Sequence, residues 1–341
     1  MAKSSNVIRN YSHSRLCAIS GEIAAGTAAS DARAIDIIKT GYWFERLRSK
    51  IRKTTAYAVG KAIRPEQYRA SSEERNANSD NLWAKYATGA MRPGPATIKA
   101  ADRIVPGSSI DLYLPLWTAL NVKVPLVGGI ENHLRAAIPL VQNAVFEPRE
   151  LRLGRYRRRP SLLKTLSLLE CHVCMDSIAA LVLILRSASE AGEFEDCFRI
   201  GKSLYTSLLI ACIRSDTMFL APEFALYFGE RIFPLASTPT VAFDISPEEF
   251  RTQVILLWQL YLALEDEGRF PPMEIKSTRS QQRIVNGDFS DLHRLALSPR
   301  LKPIGDPESI GRKVRRTLAV ANGRRDRALC AYFPHLARTQ Q

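Results

Sequence analysis

The chain of 341 residues has no apolar run of the ~18–20 residues that a membrane-spanning helix needs. Its best stretch, Ile178 to Leu185, is far too short. At the start, the weak apolar run Leu16 to Ile19 is broken by Glu22, so a secretory leader is not expected. Cysteine is scarce. The six present, Cys17, Cys171, Cys174, Cys197, Cys212 and Cys330, are too few for a disulfide scaffold. Several lie in apolar runs and read as reduced, buried thiols, which makes the cytoplasm the expected location. Acid is short relative to base: 34 Asp and Glu against 48 Lys and Arg, a net charge of +14.

Local signatures of catalysis are also missing. There is no GxSxG elbow and no HExxH pair. Gly201-Lys202-Ser203 resembles the end of a phosphate-binding loop, but Asp196 stands where the loop's first glycine belongs. Cys171-His172-Val173-Cys174 has metal-ligand types at a suitable spacing. Zinc needs about four ligands, and His133, His293 and His335 are remote in the sequence. Core thiols are therefore expected, with no metal and no cofactor. Glu248-Glu249 and Glu265-Asp266-Glu267 have no neighbouring His or Lys of the kind acid–base chemistry uses. No enzymatic activity is expected from these motifs, although a site assembled from distant residues leaves no local signature.

What the chain does have is uneven charge. Residues 1–160 hold 26 Lys and Arg against 13 Asp and Glu, residues 161–267 hold 7 against 15, and residues 268–341 hold 15 against 6. A basic front and tail around an acidic middle point to a polyanion partner for the ends. The alternative is that the acidic middle neutralises the basic parts within the chain.

Helical periodicity dominates. The expected fold class is all-α (mainly α), an N-terminal helix-turn-helix-like domain followed by a larger helical body. Residues 1–30 show no period and are expected to be flexible. Residues 31–120 form the front domain, 121–160 a basic linker, and 161–341 a helical domain for oligomerisation or partner binding with a basic C-terminal segment. Asp31 opens a helix carrying Ile37, Ile38, Phe44, Leu47 and Ile51. A second runs from Thr54 to Lys61, with Thr54 as its cap. The body begins with a nearly all-apolar helix from Leu162 through Leu185, of the kind that is buried or sits in an oligomer interface. Ser246-Pro247-Glu248-Glu249 is a strong helix start. Asp306-Pro307-Glu308 starts a last helix bearing Arg312, Lys313, Arg315 and Arg316, with Arg324, Arg325 and Arg327 beyond.

The most informative stretch is Ser79 to Pro95, SDNLWAKYATGAMRPGP. Leu82, Trp83, Tyr86 and Ala87 fall on one face of a short helix, and Asn81, Lys85 and Thr88 on the other. Ser79 or Asp80 can cap its start and Gly89 can end it, while Pro93 and Pro95 forbid simple continuation.

A basic amphipathic helix, a small helix beginning Thr54-Thr55-Ala56-Tyr57-Ala58, and a helix ending in Trp83-Ala84-Lys85-Tyr86-Ala87-Thr88-Gly89 before Pro93 together resemble the lambda-repressor-like helix-turn-helix family. The resemblance spans residues 32–106. It departs from the family in one respect: a polar insertion from Arg64 to Asn78 replaces the tight turn between the second and third helices. The resemblance implies that Asn81, Lys85 and Thr88 face double-stranded DNA, flanked by Ser79 and Arg92. Asn can bond adenine, and Lys can reach guanine or phosphate.

A second candidate contact is Leu151 to Pro160, where Arg152, Arg155, Arg157, Arg158 and Arg159 surround Tyr156 and could grip phosphate. The expectation is a DNA-binding protein, a transcriptional regulator or a DNA-engaging accessory of a bacterial system. It would meet itself or a protein partner through residues 161–268. The alternative is a helical protein–protein adaptor that binds no nucleic acid.

Overall fold

A computed structural model describes residues 2–68, 77–214, 216–272, 277–305 and 310–334, with backbone alone for 2–9 and 77–81. The fold is mainly α. In chain order the helices are α1 (Ala2–Ala25), α2 (Ala28–Ile51), α3 (Ala56–Ile63), α4 (Ala77–Ala87), α5 (Pro95–Ile104), α6 (Pro115–Leu120), α7 (Gly129–Arg135), α8 (Pro139–Val145) and α9 (Pro148–Arg152). Then follow α10 (Leu162–Glu170), α11 (Met175–Glu190), α12 (Phe194–Cys212), α13 (Ala221–Tyr227), α14 (Pro247–Asp266), α15 (Thr278–Asn286), α16 (Asp291–Ala296) and α17 (Arg312–Tyr332). Among the described residues, the only sheet is an antiparallel ribbon of β1 (Val241–Asp244) and β2 (Arg300–Pro303). No helix among them is long and apolar enough to cross a membrane.

The chain divides into two compact units. Unit 1 comprises residues 1–124 and 214–227, and unit 2 comprises 125–213 and 228–341. The axis of unit 1 is α2. Thr27 caps it through a reciprocal pair of bonds with Ser30, so the helix begins earlier than Asp31. Asp31 is buried and pairs with Lys123 at 3.2 Å. Trp43, Phe44 and Leu47 of α2 form one core with Val59 and Ile63 of α3 and Trp83, Tyr86 and Ala87 of α4.

Residues 1–30, expected to be flexible, instead contain the 24-residue helix α1, which packs on α2 and α13. The helix has no strong apolar stripe because much of its anchorage is ionic. Arg15 is fully buried, its Nε 2.7 Å from Glu223 and its Nη1 3.6 Å from Glu45, and it also donates to the carbonyl of Ala87. Glu45 in turn binds Arg48 at 2.6 Å. A reading built on hydrophobic periodicity does not see such a dock.

In unit 2 the region expected to be a linker supplies core instead. Leu134, Val141, Val145 and Phe146 from α7, α8 and the residue after α8 are all buried. The long apolar helix expected from Leu162 is two helices, with a turn at Cys171–Cys174 between α10 and α11. A sequence that is apolar all round carries no phase by which a break could be seen. Ile178 to Leu185 are buried within unit 2, so the apolar wrap of α11 has its explanation inside the chain. α14 starts at Pro247 with Ser246 as its cap, as the sequence predicts. Glu249 does not close a capping box: its carboxylate pairs with the buried Arg325 and, at 3.6 Å, with Arg300. The expected start of the last helix, Asp306-Pro307-Glu308, lies outside the described residues.

Candidate nucleic-acid interface

α4 has the inward face that its sequence predicts. Trp83 stacks on Trp43 at 6.1 Å between ring centroids, and Tyr86 meets both tryptophans edge-on. α3 approaches α4 closely because residue 60 is glycine: a Cβ there would fall 2.3 Å from Trp83 and 2.2 Å from the Tyr68 hydroxyl. The helix ends in a Schellman motif, with Gly89 N donating to Tyr86 O and Ala90 N to Lys85 O. Gly89 has φ +67°, and a Cβ on it would strike the Ile37 backbone. Two independent constraints thus require glycine there.

The outer residues of α4 are less available than the helical wheel implies. The side chains of Ser79 and Asn81 lie outside the described residues. Lys85 is half-buried and forms no ion pair with a described acid. Thr88 is half-buried too, and its hydroxyl donates back to Ala84 O and Lys85 O of its own helix. Arg92 is exposed but bound to Asp36, which also holds Lys39 at 2.9 Å. Of the two cations in this set, Lys85 is therefore the one that forms no ion pair with a described acid.

In unit 2 three arginines of the run around Tyr156 have carboxylates beside them. Arg155 lies 3.8 Å from Glu150, Arg157 3.8 Å from Glu147, and Arg158 2.8 Å from Glu131. Arg159 donates to Asn143 O, and the Tyr156 ring packs on Phe146 with Arg135 over its face. The contacts at 3.8 Å are loose and exposed, so these arginines keep part of their reach. The segment nonetheless brings its own acids with it.

A further group of cations lies at the end of α2, where the sequence places Lys50 and Lys53 on the polar face of the helix. Lys50, Arg52 and Lys53 are exposed and form no ion pair with a described acid. Arg52 is the one non-glycine residue with positive φ among the described residues, at 55°. It occupies the Schellman position of α2, with Arg52 N donating to Ser49 O and Lys53 N to Arg48 O. α4 ends in the same way but uses glycine. An L residue in this region costs roughly 1–2 kcal/mol. The signal in the sequence was the missing glycine: a helix of this length stops at Ile51 with Arg-Lys where Gly or Asn is usual.

Unit 1 also holds a strained electrostatic knot. Arg46 of α2 sits between Asp111 at 2.8 Å and Asp216 at 3.3 Å, and donates to the Tyr42 hydroxyl. Burial, reinforced by the Asp216 charge and opposed by Arg46, lifts the Asp111 carboxyl to about 6. Burial pushes the Tyr42 phenol up to about 12.

The remaining motifs find structural explanations. Gly201-Lys202-Ser203 lies mid-helix in α12, and a Cβ at Gly201 would meet Ala236 and Phe243 within 2.8 Å. Lys202 lies over the Phe198 ring. Cys174 faces the Ser177 hydroxyl at 3.3 Å, and Cys171 faces Gln282 at 3.8 Å. The chain matches no family model, no curated protein and no solved structure.

Proposed function

We propose that this chain binds duplex DNA through unit 1, as a transcriptional regulator or a DNA-engaging accessory. The observation that carries the reading is the corner formed by Lys50, Arg52 and Lys53. Three exposed cations follow one another there, none in an ion pair with a described acid although Lys50 feels the Asp111 charge, and Arg52 is held in a backbone conformation that glycine would adopt more easily. Strain kept at one exposed residue motivates a functional hypothesis. Here the charge of Arg52, rather than its backbone preference, is what the position uses. Lys85, on the side of α4 opposite Trp83, is the candidate for base contact.

The test is fluorescence anisotropy of the full chain on labelled duplexes across a salt series. Arg52→Gln with Lys53→Gln is expected to weaken binding to all sequences alike and to reduce the salt slope by about 2. Lys85→Ala is expected to flatten the preference between sequences. Absence of duplex binding at low salt sinks the proposal. The protein–protein adaptor would then lead, and it has its own support: Ile104, Ile110 and Tyr113 in unit 1 are 49%, 63% and 75% exposed.

A further inference from the structure

The outward side of α17 differs from the stretch that carries Arg155, Arg157 and Arg158 in unit 2. At helical spacing, residues 312, 316, 320, 323 and 327 share one side of the helix, with 313 and 324 at its edge. Leu318, Arg325, Ala328 and Leu329 are buried on the opposite side. Arg312, Lys313, Arg316, Arg324 and Arg327 are exposed, and none forms an ion pair with a described acid. Arg327 spends only its Nε, on the carbonyl of Gly323. The one acid of α17, Asp326, is taken by Arg300 at 2.6 Å and Arg325 at 3.0 Å. The middle of the cationic side is low. Residues 319 and 323 are Ala and Gly, and nothing stands within 4 Å of a Cβ at Gly323. Beside them, Arg316, Thr317, Val320, Ala321 and Arg324 line a shallow groove.

From this arrangement we infer that α17 is a second nucleic-acid contact, one that lies along the phosphate backbone of a duplex and does not read bases. The cations extend over about 22 Å at 1.5 Å per residue. Guanidinium groups suit phosphate oxygens in bidentate geometry. The small central residues let a backbone approach the helix. The side chain equipped to read a base, Asn322, is already bonded at both ends of its amide to the backbone of Leu301. An anionic membrane fits less well. Interfacial helices insert large apolar side chains, and the cationic side of α17 carries only Val320, while Leu318 and Leu329 are consumed in packing. The arginines around Tyr156 differ in having their own acids nearby. The inference rests on the nucleic-acid reading above but concerns a different surface.

The experiment compares the wild-type full chain with Arg312→Gln/Arg316→Gln/Arg324→Gln on a random-sequence duplex between 50 and 200 mM salt. Gln keeps helix propensity, and circular dichroism with a thermal melt checks that the fold is unchanged. A variant with Lys at the same three positions keeps the charge. The Gln variant is expected to lower the salt slope by about 2 to 3 and to weaken all sequences equally, while the Lys variant retains most of the affinity. An unchanged slope in the Gln variant overturns the inference. So does wild-type binding to phosphatidylserine vesicles without binding to duplex. If only the Arg52/Lys53 variant loses slope, α17 is excluded and the reading of unit 1 stands. If only the α17 variant does, the reading of unit 1 falls and α17 remains the contact.

Discussion

Arg52 separates stability from function at a single residue. Arg52→Gly removes the left-handed penalty but gives back some backbone entropy, so a net gain of about 0.5–1 kcal/mol is expected in urea unfolding. The same change is expected to weaken DNA binding. A variant that gains stability and keeps full affinity would show that the charge at this corner is idle. Arg15 is the opposite case, a charge held for the fold. Arg15→Ala leaves Glu223 buried beside no cation among the described residues and is expected to cost about 3–5 kcal/mol. The double variant Arg15→Met/Glu223→Gln is expected to recover part of that loss, because neither charge is then stranded. Asp111 predicts a pH effect. Its folded value of about 6 lies above its ordinary 3.8, so its contribution favours the folded state at low pH and is lost as pH rises through about 6. The stability difference between wild type and Asp111→Asn, followed by urea midpoint, is expected to shift against the wild type between pH 5 and pH 7.5. No shift across that window would mean that the Asp111 carboxylate is as well solvated folded as unfolded.

Among the elements, α4 depends on the glycine of its neighbour. Gly60→Ala puts a methyl into Trp83 and Tyr68 and is expected to destabilise unit 1 by about 1–3 kcal/mol, read by thermal melt. A neutral result would require α3 and α4 to slide apart. The existence of α4, its inward Trp83 and Tyr86 and its stop at Gly89 were legible in the sequence, because 3.6-residue periodicity and a left-handed glycine are local facts. How open its outer side would be was not legible. Thr88 bonds to its own helix and Arg92 meets Asp36 on α2, and a helical wheel knows neither partner. α1 was missed for a related reason, since its anchor is a buried arginine rather than an apolar stripe. α17 was legible as a basic helix, but that its outward cations form no ion pair with a described acid while Arg155, Arg157 and Arg158 do is a tertiary fact.

Across the whole molecule, the net charge of +14 is a property of composition, but its availability is not. Lysines and arginines on α2, in the segment after α8 and around α14 are partly cancelled by neighbouring carboxylates, whereas the exposed cations at the end of α2 and on the outer side of α17 form no ion pair with a described acid. Unit 1 runs first to Val124. Unit 1 then reclaims residues 214–227 after a long excursion of the chain, and Glu223 from that return segment receives the buried Arg15. By itself the sequence determined the helical class, the inward faces of the amphipathic helices and that no helix among the described residues is long and apolar enough to cross a membrane, because each depends on residues within a few turns of one another. Only the tertiary structure decided which cations are spent on carboxylates, where α1 docks and which distant segment completes unit 1. Those outcomes depend on pairs of residues brought together across tens or hundreds of positions, and the energy of such a pair is set by its burial and geometry.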